Sequence, residues 1–537
     1  MTDVTSSDAQ VEAVRGGYAF PGAVLELGAL LSGGQPLADV QIRVPLGMLN
    51  RHGLVAGATG TGKTKTLQVM AEQLSAQGVP VFLADIKGDL SGVSQPGQPS
   101  DKLTARTQSI GQPWQPTGYP AEYLSLGGSQ GAGVPVRATV TSFGPTLLAK
   151  VLDLNETQTS SLSLVFHYAD KAGLALLDLK DLRAVIQYLV SDEGKGDLAG
   201  LGGLSPATAG VLLRDLVEFA DSGAEAFFGE PEFDTADLLR TAPDGRGIVT
   251  CLELAGVQDK PALFSTFLMW LLADLFHDLP EAGDLDKPKL VFFFDEAHLL
   301  FRDASKAFID EITQTVRLIR SKGVGVFFVT QSPKDVDPDV LAQLGNRVQH
   351  ALRAYTPDDA KALRAAVSTF PKSAYDLEEL LTTLGIGEAV VTVLSETGAP
   401  TPVAWTRLRA PQSLMAPAPA DAVSSAVAAS PLQAEYGQQL DRESAYERLQ
   451  AKLAPPPAPA GPAPAPQPGP APSGPVGADG GAARPSRSRP AEREEPSMVT
   501  QVVQSTAFKS FVRSAGTVLG REITRSLFGT ASRRRRR

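Results

Sequence analysis

Cysteine is almost missing: Cys251 is the only one in 537 residues. One thiol closes no internal disulfide and builds no cysteine zinc cluster, so both kinds of scaffold are excluded. Cys251 lies within an apolar run, which marks it as a small core residue. Histidine is scarce too. His52, His167, His277, His298 and His350 are scattered, and no pair has metal-ligand spacing. No stretch approaches the ~18 consecutive apolar residues that a membrane span needs. The most apolar helical stretch, 263–279, is interrupted by Asp274 and His277. The N-terminus, MTDVTSSDAQVEAVRGG, has neither the basic start nor the apolar core of a targeting peptide. A cytoplasmic protein is the expectation.

What is present is an ordinary globular composition, 43% hydrophobic and 20% charged, so most of the chain can bury a core. The net charge of -10 hides an asymmetry. From Ser497 onward nine basic residues, Lys509, Arg513, Arg521, Arg525 and Arg533 to Arg537, face one acid, Glu522. The body is therefore more acidic than the average, and the basic end is suited to an anionic partner: nucleic acid, an acidic membrane surface or an acidic protein face.

The pattern along the chain is strand, glycine-rich loop, helix, strand over residues 54–85, a βαβ unit and hence a parallel sheet. Residues 39–45, DVQIRVP, alternate like a strand. Residues 91–123 read as loop and 134–143 as a strand. Residues 145–239 are mainly helical. Sheet-forming runs resume at 247–257, at LVFFFDEAHLLF (290–301), whose apolar strand ends in acids, at 324–332 and at 347–355, and the runs 389–395 and 402–409 read as a hairpin or edge pair. The expected organisation is a short N-terminal segment, 1–45; a discontinuous α/β core, 46–95 and 245–410; a mainly helical insertion, 96–244; a low-complexity linker, 411–496; and a basic amphipathic helix with an arginine tail, 497–537. The Pro/Ala/Gly-rich part of the linker lacks the apolar residues for a packed core.

Residues 57–64, GATGTGKT, match G-x-x-x-x-G-K-[ST] between an apolar strand and a helix. Glycines let such a loop wrap a phosphate chain, with backbone amides and the helix N-terminus turned toward the anion. Gly57, Thr59, Gly60, Thr61, Gly62, Lys63, Thr64 and Lys65 are the expected ATP-binding residues. Lys63 bridges the β- and γ-phosphates in this reading, and Thr64 ligates Mg2+. The apolar run 290–294 ends in Asp295 and Glu296. Asp295 is the second expected Mg2+ ligand, and Glu296 is placed to polarise the attacking water as general base. Gln331, at the end of the next strand, faces the γ-phosphate. Asp85 ends the strand after the loop helix, followed by Lys87 and Asp89, and reads either as a group behind the water and metal or as a loop acid. Ring ATPases often lend an arginine across a subunit interface, and Arg317, Arg320 and Arg347 are the candidates.

RHGLVAGATGTGKT, LADIKGDLSG, KLVFFFDEAHLLF and GVGVFFVTQSP together resemble the HerA/FtsK branch of RecA-like P-loop ATPases. More narrowly, with GEAVVTVLSETGAPTPV, they resemble the bacterial HerA-like ATPases formerly grouped as a domain of unknown function. The likeness runs over residues 40–409 and the basic end. It implies a RecA-like core, ATP hydrolysis at subunit interfaces of a homohexameric ring, and double-stranded DNA in the channel. It also implies Gln331 as the sensor glutamine and Arg317 or Arg320 as the arginine given in trans. HerA translocases carry an N-terminal β-barrel that helps dock a nuclease; the short segment 1–45 does not match it, so a nuclease partner is not carried over. The alternative reading is a soluble ATP-driven switch or secretion-type motor acting on a protein partner without DNA.

Overall fold

The computed structural model describes residues 2–453 apart from 127–132, 199, 201, 258–259, 284 and 302–304. The basic helix and arginine tail of 497–537, and the linker beyond 453, lie outside the described residues. Two compact units are recognised, Met1–Leu449 and Gln450–Arg537; the first holds everything that follows.

Its centre is a twelve-stranded sheet. In chain order the strands are β1 (Val24–Ser32), β2 (Gln35–Pro45), β3 (Gly53–Ala56), β4 (Val81–Asp85), β5 (Ala121–Leu126), β6 (Val134–Val136), β7 (Val249–Glu253), β8 (Leu290–Phe294), β9 (Val324–Thr330), β10 (Asn346–Gln349), β11 (Glu388–Thr392) and β12 (Ala404–Leu408). In space they run β2-β1-β12-β11-β10-β3-β9-β8-β4-β7-β5-β6. From β10 to β6 every neighbouring pair is parallel. From β2 to β10 every pair is antiparallel. The parallel part, with a glycine-rich loop after β3 and two acids after β8, is a RecA-like P-loop core.

The strand sequences explain this layering. A parallel strand covered on both faces loses its alternation and becomes a continuous apolar run. Along β8, Phe292 and Phe294 enter the core on one side of the sheet, and Val291 and Phe293 enter the core on the other. The first core also takes the helical insertion and the helix Pro261–Asp278. The second takes the loop helix Lys63–Ala76, through Leu67, Met70, Ala71 and Leu74, together with the two N-terminal strands.

Four expectations change here. The pair β11–β12 is antiparallel as expected, but it is no edge pair, because β1 and β2 continue the sheet beyond β12. The strand expected over 39–45 is the latter part of β2, whereas β1 is hidden: register shifts between Glu26 and Gly28 and between Ala29 and Leu30 break its two-residue period. Gly28 is required where β12 passes, since a Cβ there would sit 2.1 Å from the Arg407 carbonyl oxygen. Secondly, the strand expected over 134–143 stops at Val136. Thr139 caps a helix, Val140–Val151, its hydroxyl accepting from the Ser142 amide at 3.1 Å. Thirdly, the linker expected over 411–496 begins too early. Leu432 and Tyr436 are buried, and the Tyr436 hydroxyl donates to Asp237 at 2.8 Å. Two helices, Ala420–Ala429 and Pro431–Tyr436, thus belong to the first unit. Within 91–123, read as loop, Ser100 caps a further helix, Asp101–Ser109, and β5 begins at Ala121. Among the described residues, no helix is long and apolar enough to cross a membrane.

Candidate nucleotide site

The strands β3, β9, β8 and β4 lie side by side and point the same way, so the segments leaving their C-terminal ends meet at one edge. These segments carry residues 57–64, Gln331, Asp295 with Glu296, and Lys87. Gln331 is exposed and emerges between the glycine-rich loop and the acid pair, because β9 separates β3 from β8.

Backbone hydrogen bonds hold the loop in place. The Gly57 amide donates to the Thr330 carbonyl at 3.2 Å, and the Ala58 amide to the Ala351 carbonyl at 2.8 Å. The Thr61 carbonyl accepts from the Gly387 amide at 2.9 Å. Gly60 and Gly62 have φ of 81° and 111°, the left-handed region that favours glycine. Lys63 opens the helix Lys63–Ala76, and its ammonium turns back to donate to the Ala58 carbonyl at 3.2 Å. Burial lowers the Lys63 pKa, with Glu296 and Asp295 opposing and Lys87 adding to the fall. Thr64 is half-buried one residue further on. Lys65 donates to Gln68 at 3.3 Å, and Asp89, Asp85 and Glu72 bear on its charge.

Sequence reasoning passed over His350, Arg353 and Gly387. His350 ends up beneath the loop because β10 neighbours β3. It is fully buried, its Nε2 lies 3.0 Å from the Thr66 hydroxyl, and burial lowers its pKa to about 3, so it is a neutral imidazole. Arg353 donates to the Thr59 carbonyl at 3.3 Å. Arg106 donates to the carbonyls of Gly387 and Leu408 at 2.7 and 3.0 Å, which fixes the start of β11 against the loop. Only strand order brings these residues here, and no local motif signals it.

Asp295 and Glu296 are both buried. One Asp295 oxygen accepts from the Glu296 amide at 2.9 Å, and the other, Oδ2, has no partner. Burial pushes Asp295 up to about 6, with Glu296 adding and Lys87 opposing. Glu296 has φ of 47°, uncommon for a side chain-bearing residue. Lys87 is ion-paired with its Oε1. His298 Nδ1 lies 3.1 Å from Oε2, although not aligned as a hydrogen bond. Burial raises the Glu296 pKa, but Lys87, His298 and Lys63 outweigh it and hold the carboxyl below its ordinary value. Asp85 proves to be the loop acid. Its two oxygens accept from the amides of Gly88, Asp89 and Leu90 at 2.8, 3.2 and 2.8 Å.

Arg317 and Arg320 are not brought to this edge. Both are exposed at the end of the helix Lys306–Ile319 and in the turn Arg320–Lys322, just before β9 begins. The seven residues of β9 place them at the opposite edge, ~20 Å from the loop. Arg347 lies near the start of β10, with one guanidinium nitrogen buried and unpartnered.

A family model described as "Helicase HerA-like C-terminal" matches residues 32–537. The chain belongs to the HerA-like helicase family. This HerA-like protein is 22% identical over 382 residues to the DNA double-strand break repair helicase HerA of Sulfurisphaera tokodaii, covering 69% of this chain and 67% of that one. It is 20% identical over 389 residues to the HerA of Saccharolobus solfataricus, covering 72% and 69%. Among solved structures, the plasmid coupling protein TrwB in complex with ADP and Mg2+ is 19% identical, with a TM-score of 0.47, covering 73% of this chain and 97% of that one. Family and site together make the HerA-like chain a P-loop ATPase.

Proposed function

We propose that this HerA-like ATPase is a homohexameric ring motor that couples ATP hydrolysis to movement on double-stranded DNA. The observation that carries the hydrolytic part is the meeting of the glycine-rich loop with the buried pair Asp295 and Glu296 at one sheet edge. Glycine-loop amides and Lys63 cradle the phosphates. The Thr64 hydroxyl and the unpartnered Asp295 Oδ2 fit Mg2+, which when bound offsets charge on the β- and γ-phosphates. Glu296 takes a proton from the attacking water as its oxygen bonds to the γ-phosphorus. The bond from that phosphorus to the bridging oxygen breaks, and ADP and phosphate leave. Gln331 orients the water or senses the γ-phosphate.

The position of Arg317 and Arg320 supports the ring. Neither reaches the site of its own subunit, so if either serves catalysis it does so at a neighbour's site, as a head-to-tail ring allows. Mixing separates the two cases. Arg317→Ala or Arg320→Ala, each inactive alone, regains turnover when mixed with Lys63→Ala if it serves the neighbour. Turnover absent from both mixtures removes both arginines from that role.

DNA enters through the family, whose members named above are DNA repair helicases. The test is ATP turnover with and without linear duplex DNA, at low and moderate salt, with Glu296→Gln as the blank. Duplex DNA is expected to raise turnover, and salt to remove most of the gain. Turnover indifferent to DNA would instead support the second reading, an ATP-driven switch or motor on a protein partner, which the acidic body favours.

A further inference from the structure

Lys87 and Glu296 differ in freedom. The Glu296 side chain is 7% exposed and the Lys87 side chain 43%. The backbone around Lys87 is fixed, because Asp85 gathers the amides of Gly88, Asp89 and Leu90. What remains mobile is the four-carbon stem and its ammonium. Lys87 leaves β4, which neighbours β8, so its ammonium stands with Glu296 at the sheet edge that carries the glycine-rich loop. A carboxylate held by an ammonium is a poor acceptor for a proton from water, because its lone pairs and charge are engaged. A γ-phosphate carries more negative charge than one carboxylate and competes for the same ammonium.

We propose that Lys87 restrains Glu296 while the site lacks a γ-phosphate, and that the γ-phosphate of ATP takes the ammonium and releases Glu296 for catalysis. ADP has no γ-phosphate, so in its presence the restraint persists. The base is thereby armed by the triphosphate alone. This inference rests on the reading of Glu296 as the base.

The experiment measures, by titration calorimetry on the full chain, the affinity for ADP and for the non-hydrolysable imido analogue of ATP. Lys87→Met removes the competing ammonium and is expected to lower the preference for the analogue over ADP roughly tenfold, with ADP affinity unchanged. Lys87→Arg retains the charge and restores the preference. Glu296→Gln removes the anion that the phosphate must displace, so its preference for the analogue rises. A preference unmoved in either Lys87→Met or Glu296→Gln overturns the exchange. A lysine that only supported the loop would change both nucleotides alike. Turnover of Glu296→Gln separates this from the underlying reading: if hydrolysis stops, the base stands whatever Lys87→Met shows; if hydrolysis continues, the base assignment itself fails.

Discussion

Glu296→Gln is expected to keep ATP bound and to lose turnover by about 10²–10⁴-fold, the usual contribution of a positioned general base. The substitution retains size and removes the negative charge, and with it both the pairing with Lys87 and the proton acceptor. Glu296 is buried beside Asp295, Lys87, His298 and Lys63, and their net effect keeps it ionised below the ordinary carboxylate range. The site therefore holds a charged acceptor at neutral pH, and the amide supplies none. Single-turnover hydrolysis measured alongside nucleotide binding makes the separation. Bound ATP that is not cleaved is the expected result. Cleavage at the native rate would place the base elsewhere.

Gly57→Ala is expected to abolish nucleotide binding and to destabilise the fold by about 1–3 kcal/mol, the typical cost of overpacking. A Cβ at residue 57 would lie 2.4 Å from the His350 Cβ, well inside van der Waals contact. His350 has no room to retreat, being fully buried and held between the loop and Thr66. The loop must move instead, and with it the amides that receive phosphate. Thermal unfolding and ATP titration check both halves. A variant that melts and binds like the native protein would show that β10 does not press on the loop.

The site was legible in the sequence where chemistry restricts residue choice. A phosphate loop needs glycines and a lysine in fixed spacing, so residues 57–64 declared themselves, and the acid pair stood out at the end of an apolar strand. Lys87 was visible only as a residue after Asp85. Its pairing with Glu296 depends on β4 lying beside β8, which no local pattern encodes. The central parallel strands were legible because burial on both faces gives unbroken apolar runs, whereas β5, also parallel, was hidden at the end of a stretch read as loop. Most of β2 was legible too, in the alternation over 39–45, whereas β1 was not, because register shifts erase its period. Residues 420–436 were lost to composition: alanine and proline suggested a linker, while Leu432 and Tyr436 decided the packing.

The glycine-rich loop is fastened on two sides, by the Ala58 amide to the Ala351 carbonyl and by the Thr61 carbonyl to the Gly387 amide. Those partners belong to the segments that leave β10 and enter β11, where the parallel sheet gives way to the antiparallel one. A loop moored in this way cannot shift alone. The seam and the loop are therefore one mechanical piece, so a change in the pairing of β10 with β11 bears on the loop's shape as directly as a change within the loop.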